Sequence, residues 1–235
     1  MQAIGLTRTY PAGRRRIRGL DTVSLTVASG EVVAVTGPSG SGKSTLLHLL
    51  AGLDRPSDGR ALIAGVDWES LHGRARARFR RRSCGFVAQS LALLPQATVA
   101  ENVEVPLLLD GAEAGTRRRR VAGALERVGL ADAAAKLPDQ LSGGQQQRVA
   151  IARVLCAQPA VVLADEPTGS LDSGTAEVIA RLLVAAAAEQ RAAVVLVTHD
   201  PVVAQYADRV VGLHSGRLGA PMPGEDRPGA TGGAR

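Results

Sequence analysis

The stretch Glu31-Val32-Val33-Ala34-Val35-Thr36-Gly37-Pro38-Ser39-Gly40-Ser41-Gly42-Lys43-Ser44 decides the fold. Its first six residues form a buried-strand run, its glycine-rich middle is a turn, and a helix is expected over residues 43–50. Its last eight residues fit the pattern G-x-x-x-x-G-K-[ST] in the strand–turn–helix setting that the pattern requires. The glycines let consecutive backbone N–H groups turn inward around an anion. The helix start adds its partial positive charge. Lys43 reaches outer phosphates as a point charge, and the Ser44 hydroxyl, followed by Thr45, ligates Mg²⁺. The chain has only two lysines, Lys43 and Lys136, and one of them falls in the slot the pattern demands.

A second apolar strand ends in acids, Val161-Val162-Leu163-Ala164-Asp165-Glu166. Ligands of open α/β sheets bind at such carboxyl-terminal strand edges. Asp165 is placed to hold Mg²⁺, and Glu166 to orient or deprotonate an attacking water.

Other segments extend the alternation of strand and helix, which predicts an α/β fold with a mostly parallel sheet. Cys84-Gly85-Phe86-Val87 is a weaker strand, Val194-Val195-Leu196-Val197 a strong one, and a long helix is expected over about residues 173–190. Residues 3–9 and 23–27 alternate like half-exposed strands, with residues 60–63 as a third, so a small antiparallel sheet is expected beside the main one. Residues 99–157 read as mostly helix, broken near Pro106, Gly111 and Pro138. The last stretch, from Gly216, is rich in Gly and Pro and is expected to be a flexible tail.

A length of 235 residues suits one sizeable domain, and with aromatics at 2% its core must be built from Ala, Val, Leu and Ile. No apolar run approaches the ~20 residues that span a bilayer, and no secretory signal is visible, so a cytoplasmic chain is expected. Cys84 and Cys156 form no Cys-x-x-Cys pair and read as buried thiols. The net charge of +6 is carried by arginine, in Arg14-Arg15-Arg16, in Arg74, Arg76, Arg78, Arg80, Arg81 and Arg82, and in Arg117-Arg118-Arg119-Arg120. No aromatic residues interleave these runs to stack on bases, so nucleic acid is not an expected partner. They read as a solvated face, with weak attraction to anionic lipid headgroups as an intermediate reading.

Leu141-Ser142-Gly143-Gly144-Gln145 is a second helix start with open backbone N–H groups, Ser142 reading as its N-cap. With the following Gln146-Gln147-Arg148-Val149-Ala150-Ile151-Ala152-Arg153 it resembles the signature of ABC ATPases, and the resemblance covers residues 3–218. It implies a P-loop NTPase fold of ABC type, with a parallel core, a small antiparallel β subdomain and a helical subdomain. The β subdomain and first core part are expected over residues 1–90, the helical subdomain over about 91–157, the rest of the core over 158–218, and the tail over 219–235. It further implies that ATP and Mg²⁺ are bound and that two cassettes pair head to tail, a homodimer being expected. The signature of one cassette then closes over the γ-phosphate held by the other. Gln89 resembles the glutamine that senses Mg²⁺, Ser170-Leu171-Asp172 the loop that crosses the dimer seam, His199 the switch histidine, and Tyr10 the aromatic that stacks on adenine.

Within the family, residues 37–47, 52–56, 141–153 and 164–172 are most similar to the class that serves macrolide and peptide exporters, lipoprotein release and cell division. That class implies an integral membrane permease as partner and a place on the inner face of the membrane. Ala88 stands where the class usually has an aromatic, and Ser170 where Asn is usual. DNA-repair relatives carry a long coiled coil before the signature, and residues 44–140 show no sustained heptads. Translation-associated relatives carry two cassettes, and a phosphate-loop kinase needs neither Ser142 nor His199. A regulatory cassette that holds a membrane partner without net transport would have the same sequence features.

Overall fold

The computed structural model describes residues 1–13, 15–169 and 173–219, so Arg14, the Ser170-Leu171-Asp172 segment with its expected seam residue Asp172, and residues 220–235 of the expected tail lie outside the described residues. Gly216 to Gly219, expected to begin that tail, are instead bonded into the sheet around the last strand, β10. In chain order the elements are β1 (Gln2–Ala12), β2 (Arg15–Thr26), β3 (Val32–Thr36), α1 (Lys43–Leu50), β4 (Asp58–Ile63), β5 (Val66–Asp67), α2 (Gly73–Ser83), β6 (Cys84–Val87), α3 (Val99–Leu109), α4 (Ala114–Arg127), α5 (Gly143–Cys156), β7 (Val161–Asp165), α6 (Ser173–Gln190), β8 (Ala193–Val197), α7 (Pro201–Ala204), β9 (Arg209–His214) and β10 (Arg217–Leu218). A six-stranded sheet runs in the order β10-β9-β3-β8-β7-β6, parallel from β9 to β6, and a four-stranded antiparallel sheet runs β2-β1-β4-β5.

Period-two alternation sorts the apolar strands of the larger sheet to two faces. Val33, Val35, Leu163, Val195 and Val197 pack with α1 and the antiparallel sheet. Val32, Val162, Ala164, Val194 and Leu196 pack against α6, which offers Ala176, Ile179, Ala180 and Leu183 at helical spacing. Both faces are covered, which is why these strands are nearly continuous apolar runs. A separate cluster joins α3, α4 and α5 through Val103, Leu107, Val121, Leu125, Val149 and Ala152.

Two further expectations are corrected. Pro106 does not break its segment: it lies inside α3. A Thr98–Glu101 capping box fixes the start of that helix, and Val99, Val103 and Leu107 bury one side of it on both flanks of the proline. Packing therefore outweighs the ~3 kcal/mol cost of an interior proline. The arginines of residues 74–82 are not all solvated either, because they form α2, and Arg76 and Arg80 turn inward to the Gly52 carbonyl at 3.3–3.4 Å.

Gly52 belongs to the joint between the sheets. Trp68 is fully buried, donates Nε1–H to the Leu50 carbonyl at 2.8 Å, and meets Phe79 edge-on with ring centroids 5.2 Å apart. Gly52 has φ +62°, and a Cβ there would lie 2.6 Å from the indole, so both the backbone and the space require glycine. Trp68→Ala is expected to cost about 3–5 kcal/mol, read as a lower urea midpoint. Burial pushes the Cys84 thiol up to about 12 and the Cys156 thiol up to about 11. Neither thiol is expected to react with iodoacetamide at neutral pH until the chain is unfolded, as mass spectrometry across a urea titration will report.

Candidate functional site

Strand β3 ends at Thr36, and the next residues wrap into a loop that only glycine permits at two places. A Cβ on Gly37, at φ +150°, would lie 2.1 Å from the Leu213 carbonyl oxygen, and one on Gly42, at φ +106°, would lie 2.3 Å from that of Gly19. The loop is pinned by Ser41 N–H donating to the Pro38 carbonyl at 3.2 Å and by Leu46 N–H donating to Gly42 at 2.9 Å. Helix α1 has no side-chain cap and no acid in its first turn, so its leading N–H groups stay open to an anion. Lys43 Nζ donates to the carbonyls of Gly37 at 2.8 Å and Pro38 at 3.0 Å, which holds the ammonium over the loop. Ser41 Oγ is buried with no hydrogen-bond partner among the described residues. Ser41 does not line the cleft that the loop borders, so the open N–H groups of the loop and of α1 are what a phosphate oxygen would meet.

Strands β7 and β8 deliver the remaining groups. Asp165 pairs in register with Val197, so the residues that follow each strand emerge side by side. Glu166 has φ +47°, uncommon for a residue with a Cβ. The turn is held by Glu166 N–H donating to the Val197 carbonyl at 3.0 Å and Gly169 N–H donating to the Glu166 carbonyl at 3.2 Å. His199 Nδ1 lies 2.8 Å from Glu166 Oε2, and its backbone N–H donates to the same oxygen at 3.4 Å. The carboxylate side chain is 16% exposed and the imidazole 69%, so the histidine is reachable while the acid is sheltered.

One cleft of about 570 Å³ gathers the loop from Gly37 to Thr45 with Gln89, Asp165, Glu166 and His199. The set fits a phosphate ester carrying Mg²⁺: it offers the Ser44 hydroxyl, the Gln89 amide and the Asp165 carboxylate, all oxygen donors. Magnesium takes few protein ligands and completes its shell with phosphate oxygens and water.

Two expected groups do not line this cleft. Tyr10 stands at its edge: the hydroxyl donates to Asp54 at 3.2 Å and lies 3.5 Å from Thr45 Oγ1, the ring lies beside Gly19, and the Arg8 guanidinium is 4.7 Å from the ring centre. Ile17 and Arg18 from β2 line the cleft on that side. Leu141 is buried in the helical cluster, while Ser142 and Gly143 are exposed at the start of α5. There Ser142 Oγ accepts from Gln145 N–H at 3.3 Å and Gln145 Oε1 accepts from Ser142 N–H at 2.9 Å, a capping box that occupies one of the donors expected to be open. Gly144 is packed against Thr175: a Cβ there would lie 2.7 Å from its methyl.

The sequence reading assigned no role to several positioning residues. Buried Thr198 accepts from Asp200 N–H at 3.0 Å, and Asp200 caps α7, so His199 sits between two anchored neighbours. Arg153 of α5 donates to the carbonyls of Leu91 at 2.7 Å and Ala92 at 2.8 Å. Asn102 is fully buried, accepts from Leu94 N–H at 2.7 Å and donates to the carbonyls of Leu94, Ala97 and Thr98 at 3.0 Å each. The segment that follows Gln89 is therefore tied to both α5 and α3.

Comparison with known proteins agrees with this site. The family model of the ABC transporter matches residues 20–169. The chain is 46% identical over 213 residues to the lipoprotein-releasing system ATP-binding protein LolD of Legionella pneumophila (strain Paris), spanning 91% of this chain and 94% of that protein. It is 46% identical over 233 residues to the macrolide export ATP-binding/permease protein MacB of Rhodospirillum rubrum, spanning 97% of this chain and 36% of that protein. The ATP-binding cassette MJ0796, solved as a dimer in a post-hydrolysis state with ADP and Pi, superposes with a TM-score of 0.87 at 39% identity over 96% of this chain and 99% of that one. With a phosphate loop, a sheltered glutamate and a reachable histidine in one cleft, and with relatives matching from end to end of the described core, the chain belongs to the ABC transporter family and is an ATP-binding, ATP-hydrolysing cassette of it.

Proposed function

We propose that two copies of this chain close head to tail around Mg-ATP and drive a separate integral membrane permease of the lipoprotein-release or macrolide-export type. The single observation that carries the reading is the location of the signature start: Ser142 and Gly143 are exposed and lie outside the cleft of their own chain. A second helix start shaped for an anion, but remote from its own anion site, finds its use on another copy. The chain then works at the inner face of the membrane, and no helix among the described residues is long and apolar enough to cross it.

In this mechanism the phosphates of ATP lie on the loop from Gly37 to Thr45, under Lys43, and Tyr10 supplies the stacking face for adenine. Ser44, Gln89 and Asp165 would hold Mg²⁺, which would supply neutralisation of phosphate charge. Glu166 accepts the proton of the attacking water as the new bond to the γ-phosphorus forms and the bond to the bridging oxygen breaks. His199 stabilises charge on the transferring group and, through its 2.8 Å contact, orients Glu166. Ser142 to Gln145 and Asp172 act across the seam.

A groove of about 410 Å³ between α2, α3 and α5, with Leu53, Phe86, Pro106 and Leu109 in its walls, is the seat for the permease. Ala92 and Arg153 line it too, so the loop that leaves Gln89 forms part of the wall a partner would press on. Arg153→Ala is expected to leave Mg-ATP binding unchanged and to lower permease-stimulated hydrolysis about tenfold, with a smaller change in hydrolysis by the chain alone. Equal losses in the two assays would show that Arg153 serves only the ATP site.

Glu166→Gln is expected to keep ATP binding and to lower turnover about 10³-fold, while trapping the dimer on a sizing column. Unchanged turnover would overturn the role of Glu166. The same variant, captured with ATP from detergent-solubilised membranes, is expected to bring down a stoichiometric permease. A soluble partner, nucleic acid or a ribosome in its place would overturn the transport assignment and leave the ATPase standing.

A further inference from the structure

The arginines outside the ATP cleft are sorted by their helices. Arg76 and Arg80 turn in to Gly52, whereas Arg74 and Arg78, four residues apart, are exposed on the opposite side of α2. Arg117 of α4 turns in to Glu104 at 2.6 Å and to the Ala112 carbonyl at 2.7 Å, while Arg118, Arg119 and Arg120 are exposed. Two ion pairs tie both helices to α3: Arg117 with Glu104 at its middle at 2.6 Å, and Arg82 with Asp110 at its C-terminal end at 2.7 Å. At that end Leu108 and Leu109 are 56% and 62% exposed. Among the described residues, none of these five exposed arginines, Arg74, Arg78, Arg118, Arg119 and Arg120, has a carboxylate within ion-pair distance.

We propose that this face docks on the anionic headgroups of a lipid bilayer, its arginines on phosphates and Leu108 and Leu109 at the acyl boundary. Charge complementarity selects an anionic partner, and the planar guanidinium forks suit phosphate oxygens. The adjacent leucines select lipid: a bilayer surface offers phosphate and hydrocarbon in successive layers, whereas nucleic acid offers no apolar layer for them. Leu109 also lines the groove assigned to the permease, so the two surfaces are contiguous, yet the lipid contact needs no permease and is tested without one.

The test is flotation of the full chain with vesicles of mixed phosphatidylglycerol and phosphatidylcholine, or of phosphatidylcholine alone, at low and raised salt. Binding is expected only to the anionic vesicles and is lost as salt screens it. Replacing Arg118, Arg119 and Arg120 together by Gln is expected to weaken it about a hundredfold, at roughly fivefold per arginine, with ATP hydrolysis unchanged. The same charge removed at Arg16, Arg60 and Arg191 is expected to leave vesicle binding within a few-fold of the parent chain. No binding to anionic vesicles overturns the proposal, as does an equal loss from the second set, which would mark a response to net charge alone. Arginine-dependent binding to a purified permease without vesicle binding would assign the face to an acidic protein surface and also overturn it.

Discussion

The catalytic cleft depends on backbone hydrogen bonding between three adjacent parallel strands. Val35 pairs with Val197, and Val197 pairs with Asp165. That register brings β3, β8 and β7 to one level, so the phosphate loop, the Thr198–His199 corner and the Asp165–Glu166 pair leave the sheet together. A slip of one residue in any of the three would move its terminal group by about 3.3 Å and send its side chains to the opposite face. The apolar runs are thus the measuring device of the site as well as its support. They also make the left-handed turn at Glu166 tolerable, because its N–H and carbonyl are both bonded.

The cleft is polarised along its length. One end has the open N–H groups of α1 and the Lys43 ammonium, and the other has Asp165 and Glu166. A bare polyanion would suit the first end and be repelled by the second. A polyanion carrying a divalent cation suits both, with the metal on the acidic side. The sheltering of Glu166 suits the role proposed for it: a carboxylate held away from bulk solvent acts on a neighbouring water with a field that solvent does not screen.

Continuous patterns were legible in the sequence. Strands β3, β6, β7 and β8, helices α1 and α6, and the antiparallel sheet stand where the periodicity placed them, within a residue or two for most. The residues that line the cleft were readable because strand ends and a glycine loop advertise them. Pro106 misled because its local effect is large and visible, whereas the packing of Val99, Val103 and Leu107 that outweighs it is not. Arg153 and Asn102 went unassigned for a related reason. Arg153 bonds backbone carbonyls 61 and 62 positions away, and a side chain that serves remote backbone imposes no pattern on the sequence. Tyr10 was legible only through resemblance: its hydroxyl donates to Asp54 and lies 3.5 Å from Thr45 of the phosphate loop, so the ring stands at the edge of the cleft.

The clamp on the segment after Gln89 explains how a small chemical change could act at a distance. Ala92 has φ +46°, a conformation that alanine holds only under constraint, and the Arg153 guanidinium supplies part of that constraint through the two carbonyls it binds. Two bonds from one rigid guanidinium to neighbouring carbonyls resist rotation as well as translation, which a single bond would not. Arg153 lies in the helix that begins at the signature, and Asn102 ties the other end of the segment to α3. On the proposed closure, a phosphate drawn to Ser142 from the opposite copy would pull α5 along its axis, and α5 would carry Leu91 and Ala92 with it. Gln89 stands two residues before the first anchored carbonyl, that of Leu91, so a shift of the groove wall is passed to it through a short stretch of backbone.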